Sequence, residues 1–399
     1  MKKKVVLAYS GGLDTSYCGV YLTKKLGYEV LAVLANTGGF SDEDIEEVER
    51  RAYEIGCSSF TNLDVADDYY NSTIRYMIFG NMLKNGSYPI SVSSERIVQA
   101  ISVAKFAKEV GADILCHGST GAGNDQIRFD SIFSIVAPEI EVMALIREQS
   151  LSRDEEIAFL KENGINMDFQ KAEYSINKGL WGTSVGGKET LSSRTTLPEE
   201  AYPTKCTKSE EEASEMCITF SKGEISAVDG VAVAGVEAIN LIQEKAGSYA
   251  IGRGMHVGDT VIGIKGRVGF EAAAPTVIIK AHHMLEKHNL SKWQLFWKEQ
   301  ISNFYCNNLH EGLYYDPVMR DIEAMLTSSQ EFVSGDVYVK LMPYRFDVIG
   351  IESQHDLMSD IFGSYGEMNR AYSGEDAKGF GTVFSLSSKI FNTVNKIKV

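Results

Sequence analysis

Two uninterrupted apolar runs near the N-terminus, "VVLAY" at 5–9 and "EVLAVLAN" at 29–36, constrain the fold more than any other feature of this 399-residue chain. Side chains alternate between the faces of a strand, so a strand that is apolar at every position must be covered on both faces. Such strands belong to parallel sheets, and parallel neighbours need crossover helices. The intervals supply them. Residues 14–26 set Tyr17, Val20, Tyr21 and Leu26 at helical spacing and end at Gly27, a left-handed cap. "SDEDIEEVERRAYEIG" opens as a capping box on Ser41 and Asp44, carries a stripe of Ile45, Val48, Ala52 and Ile55, and stops at Gly56. "SERIVQAISVAKFAKEVGAD" repeats the plan with Ile97, Ile101, Ala104 and Gly111, then "ILCHGST" and residues 140–146 read as two more strands. The first 165 residues are therefore expected to form a doubly wound parallel-sheet α/β domain of the nucleotide-binding kind.

The texture changes from about residue 170. "WGTSVGGKETLSSRTTLPEEAYPTK" has no period and reads as an excursion or linker. Beyond it, "GDTVIGIKGRVGFEAAAPTVIIKAHHML" looks like strands passing into a helix. "SKWQLFWKEQISNFY" is a helix offering Trp293, Leu295, Phe296 and Ile301 for packing. This half reads as α+β. The last stretch is amphipathic, with Phe384, Ile390, Phe391 and Val394, and is too small to fold without packing on something, for which a neighbouring subunit is the expectation. The expected organisation is a nucleotide-binding domain over 1–168, an α+β domain over 169–365 and an oligomerisation tail over 366–399. A chain of this length suits domains that each bury a core.

Bulk composition excludes several partners. With 54 acidic against 39 basic residues the net charge is −15, which opposes nucleic acid unless the cations gather on one face, and they do not. No apolar run approaches the roughly 18 residues that cross a bilayer. "MKKK" precedes too short an apolar run for a secretion signal, so a cytoplasmic setting is expected. Six scattered cysteines with no Cys-x-x-Cys pair argue against a zinc site and a disulfide framework.

The first strand ends in "SGGLDTS". Two glycines at the start of a helix present unpaired backbone N–H groups and the positive end of the helix dipole, a place for phosphate, with the Ser10 and Ser16 hydroxyls as added donors. The spacing is neither Walker A nor G-x-G-x-x-G. A carboxylate beside polyphosphate requires a cation between them, so Asp14 points to Mg²⁺. A plain N-cap is the alternative. The second glycine turn, residues 118–123, lets backbone approach a ligand closely, and Thr120, Asn124, Asp125, Gln126 and Arg128 add donors and acceptors of both signs, a mixture suited to a zwitterionic amino acid. Arg128 can grip a carboxylate bidentately, while Asp125 or Asn124 can hold an ammonium or ureido group. His117, at a strand end, reads as structural.

Ser-Gly-Gly-x-Asp-x-Ser resembles the pyrophosphate loop of the ATP pyrophosphatases, whose fold is adenine nucleotide alpha hydrolase-like and which cleave ATP between its α and β phosphates. With Leu13 and Thr15, "AYSGGLDTS" resembles the argininosuccinate synthetases in particular, and "CHGSTGAGNDQIRFD" at 116–130 resembles their second signature. "YPISVSSER" and "YSINKGLWGTS" match two further segments. The resemblance implies ATP on Ala8, Tyr9, Ser10, Gly11, Gly12, Leu13, Asp14, Thr15, Ser16, Ala35 and Gly118, with Mg²⁺ at Asp14. It implies aspartate on Thr120, Asn124 and Asp125, and citrulline on Tyr88, Ser93, Asn124, Arg128, Ser175 and Ser184. It also implies C–N ligation through a citrullyl-adenylate and a homotetramer.

Two positions depart from that pattern. Gly258 and Phe270 stand where the family has a Glu and a Tyr that touch citrulline, and Asp259 is the expected stand-in for the missing carboxylate. Lys265, Arg267 and Glu271 still fit, so the strand pair around them is expected to be kept. Asp125 is too acidic to accept a proton from the aspartate amine at neutral pH unless burial raises it. A tRNA-modifying relative would need a basic face and catalytic cysteines, and a non-catalytic nucleotide sensor would not need two polar sets.

Overall fold

The computed structural model describes residues 2–121, 123–165, 174–367 and 371–397, so the expected boundary at 168/169 lies outside the described residues. Strands β1 (Lys4–Ala8), β2 (Glu29–Asn36), β3 (Ser59–Asp64), β4 (Ile114–Cys116) and β5 (Glu141–Met143) form a parallel sheet in the order β3-β2-β1-β4-β5. Helices α1 (Leu13–Val20, running into a π turn at Tyr21–Lys25), α2 (Asp42–Glu54), α3 (Ala66–Tyr69), α4 (Arg75–Phe79), α5 (Ser91–Glu109), α6 (Asp125–Val136), α7 (Leu145–Gln149) and α8 (Arg153–Glu162) cover it.

Both faces are buried, as the apolar strands require. Val5, Leu7, Val30, Ala32 and Leu34 pack under α1, α2, α7 and α8. Val6, Val33 and Ala35 face α5 and α6, and the same apolar cluster continues without a break to Trp181, Phe270, Val277 and Leu341 in the second half. One apolar cluster thus runs across both halves, while the cluster on the other face of the sheet is confined to the first half and a small one around Val185, Leu197 and Tyr202 to the second.

The Ser41–Asp44 capping box is present. The region 140–146 is strand only over Glu141–Met143. Ala144 leaves the sheet, its N–H goes to the Glu148 carboxylate at 2.8 Å, and α7 begins.

The second half contains two antiparallel sheets among the described residues. One is β10-β9-β8-β13-β14, from β8 (Ser214–Ser221), β9 (Glu224–Val228), β10 (Val231–Ala232), β13 (Gly335–Met342) and β14 (Arg345–Glu352). The other is β11-β12-β7-β6, from β6 (Ser175–Asn177), β7 (Thr183–Gly186), β11 (Arg253–Asp259) and β12 (Lys265–Glu271), so the excursion expected at 181–205 begins as a strand. Helices α9 (Gly235–Gly247), α10 (Ala273–Asn289), α11 (Lys292–Glu311) and α12 (Pro317–Ser329) complete the α+β half. On α11, Leu295 and Ile301 pack against the core, whereas Trp293 is 63% exposed and Phe296 is exposed too. The chain ends in α13 (Gly374–Phe384) and α14 (Leu386–Val394), where Phe384, Ile390, Phe391 and Val394 all face solvent.

Candidate active site

β1 and β4 are neighbours, but β2 and β5 flank them on opposite sides, so the chain leaves the two central strands in opposite directions. In open α/β sheets that reversal opens a crevice at the carboxyl ends of the strands. Both glycine turns fall there. Gly11 has φ +72°, and a Cβ on it would lie 3.1 Å from Val48 Cγ2, so glycine lets the first turn pass tightly over α2. Gly12 is the N-cap of α1 with no side-chain cap, which leaves the first N–H groups of the helix to the crevice. A Cβ on Gly118 would lie 3.1 Å from both Thr15 N and Thr15 Cγ2. The two turns therefore touch, backbone to backbone, over one cavity of about 840 Å³.

Ala8, Tyr9, Ser10, Gly12, Leu13, Asp14, Thr15, Ala35, Gly118, Thr120, Asp125 and Ser175 line this cavity. The structure thus brings together most of the expected ATP and aspartate residues and one expected citrulline residue. Ser16 is turned away: it is fully buried, and its hydroxyl lies 3.4 Å from the Tyr9 hydroxyl. Asp14 sits in the first turn of α1 past the cap position, so the plain N-cap reading does not apply. His117, expected to be structural, lies on the cavity wall and is held on three sides. Its Nε2 meets Asp130 Oδ1 at 3.1 Å, its Nδ1 accepts from Ser119 N–H at 3.2 Å, and its ring stacks on Phe129.

The remaining expected citrulline residues are not among those lining this cavity. Arg128 is buried, donating from Nη1 to Asp125 Oδ1 at 2.6 Å and from Nε to His310 O at 2.8 Å, so its fork is already engaged. Ser93 Oγ donates to Ile90 O and meets His310 Nδ1 at 2.9 Å. Asn124 uses its Oδ1 to accept from Val261 N–H at 2.9 Å, tying the second turn to the β11–β12 hairpin. Ser184 is buried in β7, opposite Phe270. Tyr88 stacks on His256 with ring centres 4.8 Å apart.

The β11–β12 hairpin itself is kept, with Lys265, Arg267 and Glu271 all in β12. A Cβ on Gly258 would come 2.6 Å from His256 Nε2, so His256 fills the space a side chain at 258 would need. Asp259 does not replace the missing carboxylate: its side chain is 65% exposed and pairs with Lys265 at 2.6 Å.

Charge distinguishes the two turns. Behind Asp14 stands Glu156 of α8, buried, with its Oε2 lacking any partner. Burial, then the charge and contact of Asp14, push the Glu156 carboxyl up to about 8, and burial also raises Asp14. Arg153, on the cavity wall, opposes both shifts. Burial would raise Asp125 too, but the Arg96 and Arg128 guanidiniums hold it below its ordinary value, with Arg96 Nε 3.2 Å from Oδ2. A third wall carboxylate, Glu95 of α5, is pushed by burial up to about 7. Glu95, Arg153 and Glu156 were not singled out from the sequence. Only Glu95 lay inside a segment that was, "YPISVSSER".

A parallel sheet with two glycine turns meeting at its reversal point defines an α/β nucleotide-binding protein with a second, polar subsite. Comparison with known proteins narrows this. "Arginosuccinate synthase N-terminal HUP domain" describes residues 4–166 and "Arginosuccinate synthase C-terminal domain" residues 174–391. The argininosuccinate synthase of Methanocaldococcus jannaschii is 36% identical over 368 residues, covering 92% of this chain and 93% of that protein. Those of Xanthomonas campestris pv. campestris and Saccharolobus solfataricus are 34% and 32% identical, covering 99% and 98% of this chain and 99% of each relative. The chain belongs to the argininosuccinate synthase family.

Proposed function

We propose that this chain joins citrulline to aspartate at the expense of ATP, giving argininosuccinate, AMP and pyrophosphate in arginine biosynthesis. The observation that carries the reading is the contact of Gly118 with Thr15, which makes one cavity of two turns, one shaped for phosphate and one for an amino acid. ATP lies with its phosphates along Ser10–Thr15 and its adenine toward Ala35. The ureido oxygen attacks the α phosphorus and pyrophosphate leaves. Positioning and charge neutralisation suffice for such an in-line displacement without a protein nucleophile. The amine of aspartate, held at Thr120 and Asp125, then attacks the activated carbon and AMP departs.

Mg²⁺ belongs to this reading. Asp14 on the wall, backed by a Glu156 oxygen that has no partner, is a hard-oxygen set that suits it, and the ion would supply neutralisation of phosphate charge there. For citrulline the reading keeps Ser175, Tyr88, Ser93, Asn124, Arg128 and Ser184, the last five requiring the Arg128–Asp125 contact to rearrange around the ligand. It keeps the division at 168/169 and the tail from 366. The apolar side chains of α13 and α14, all facing solvent, support packing against other copies of the chain in a homotetramer. A cytoplasmic setting completes it. Among the described residues no helix is long and apolar enough to cross a membrane.

The test is pyrophosphate release from purified protein with ATP, Mg²⁺, citrulline and aspartate, omitting each in turn. Loss of release without citrulline is the expected result, and release unchanged by its omission contradicts the reading.

A further inference from the structure

We propose that Glu95 is the catalytic residue that accepts the proton of the attacking amine in the ligation step, an inference that rests on the ligase reading above. Glu95 stands on α5 at the cavity wall, between the end of β2 and the second turn, and is 3% exposed. The turn after β2 is built to meet it. Asn36 Oδ1 accepts from Gly38 N–H at 2.9 Å, which folds the chain so that the buried Thr37 hydroxyl donates to Glu95 Oε1. Gln99, one turn along α5, donates to Ala35 O at 3.3 Å and so ties the same helix to the adenine end. The second oxygen, Oε2, lies beside Gly179, where a Cβ would come within 2.5 Å of it, so only glycine at 179 leaves the carboxylate its place.

These contacts orient a carboxylate that has no structural partner to match its charge. Among the described residues no cation forms a salt bridge with Glu95. Its helix neighbour Arg96 is committed to Asp125, 3.2 Å away. The pairing sets Glu95 one residue from the arm that reaches the subsite assigned to the incoming amino acid. The other wall carboxylates are engaged elsewhere: Asp14 with Glu156, Asp44 in the capping box of α2, and Asp125 between two guanidiniums. The charged and titratable groups that face Glu95 are Arg96 on its own helix, Asp125 from α6 and Tyr69 from α3. Burial outweighs the Arg96 charge and the Thr37 hydrogen bond, Asp125 adds to it, and the carboxyl is pushed up to about 7, where a base serves best at neutral pH.

In the step itself the ammonium of aspartate gives one proton to Glu95 and its lone pair forms the N–C bond at the adenylated ureido carbon. The C–O bond to the phosphate breaks with its electron pair going to AMP. The second proton on nitrogen leaves to the departing phosphate oxygen, and a guanidinium remains.

The test separates the two half-reactions in Glu95→Gln and Glu95→Asp. Citrulline-dependent exchange of pyrophosphate into ATP reads adenylate formation, and single-turnover AMP release on adding aspartate reads ligation, each followed from about pH 6 to about pH 9. Glu95→Gln is expected to slow ligation at least tenfold more than exchange and to remove the rise of the ligation rate through about pH 7, with Glu95→Asp recovering part of both. Equal slowing of the two steps, or a raised KM for ATP with the ligation profile unchanged, overturns the assignment and leaves the ligase reading intact. Absence of citrulline-dependent exchange in the unaltered enzyme overturns the ligase reading and the assignment with it.

Discussion

The turn after β1 and the turn after β4 occupy equivalent places on neighbouring strands, and each leads into a helix, yet their carboxylates are treated in opposite ways. Asp14 faces a second carboxyl, Glu156, and both are raised; Asp125 is clasped by Arg96 and Arg128 and is lowered. Topology brings both to the carboxyl edge of the sheet. The charged side chains around them, Glu156 of α8 at the first turn and Arg96 of α5 with Arg128 of α6 at the second, decide the charge each can hold. A helix start backed by acid calls for a cation before it accepts phosphate. A carboxylate already neutralised by guanidiniums stays anionic and can receive an ammonium group.

The contrast can be broken by mutation. Arg128→Ala should have the largest effect on stability, because it strips a buried guanidinium from Asp125 and leaves His310 O without its donor. Breaking a buried charge pair typically costs about 3–5 kcal/mol, so urea unfolding should show a loss of that order together with lost turnover. A change under about 1 kcal/mol would mean the second turn is held by something else. Asp14→Asn should do the reverse, lowering turnover roughly 100-fold or more, as loss of an electrostatic group at a phosphoryl site does. Its Tm should hold or rise, since one of two facing carboxyls is gone; a clear fall in Tm would return Asp14 to a structural role.

Gly118→Ala places a methyl against the Thr15 backbone. It should cost about 1–3 kcal/mol and weaken nucleotide binding measured by calorimetry, and unaltered binding would show that the turns need not touch.

The smallest effects sharpen the comparison by their sign. Glu156 holds its proton up to about 8 in the fold, against an ordinary value of 4.5, so between these the native state binds more protons than the unfolded chain. Its contribution is present below pH 4.5 and drains as pH rises through about 8. His310, behind the second turn, is pushed by burial, then by the Arg128 and Lys84 charges, down to about 2 from 6.5. The native state there binds fewer protons, so its contribution is present above pH 6.5 and is lost as pH falls toward about 2. In metal-free protein the Tm of Glu156→Gln relative to the unaltered chain should climb with rising pH, and that of His310→Gln with falling pH. Curves that stay parallel would remove the electrostatic distinction between the turns.

Sequence made the central sheet legible because β1 and β2 are apolar on both faces, and it made both turns legible because each sets glycines between an apolar strand and a helix start rich in polar side chains. β3 escaped because it lies at the sheet edge, with most of its residues half exposed, and carries no apolar run. The split in the citrulline set escaped for another reason. Arg128 and Ser93 are answered by His310 on α11, 182 and 217 residues away, and no local pattern announces that. Glu95 and Thr37 meet across 58 residues, and Glu156 finds Asp14 only when α8 packs on α1. Asp259 looked like a spare carboxylate in sequence and proved to be a solvent-facing partner of Lys265.

The joint use of the two turns is tested most directly by following pyrophosphate and AMP while citrulline and then aspartate are added to the enzyme with ATP and Mg²⁺. Pyrophosphate should appear only once citrulline is present, and AMP should be released, one for each argininosuccinate formed, only after aspartate follows. ATP turnover indifferent to citrulline would contradict it.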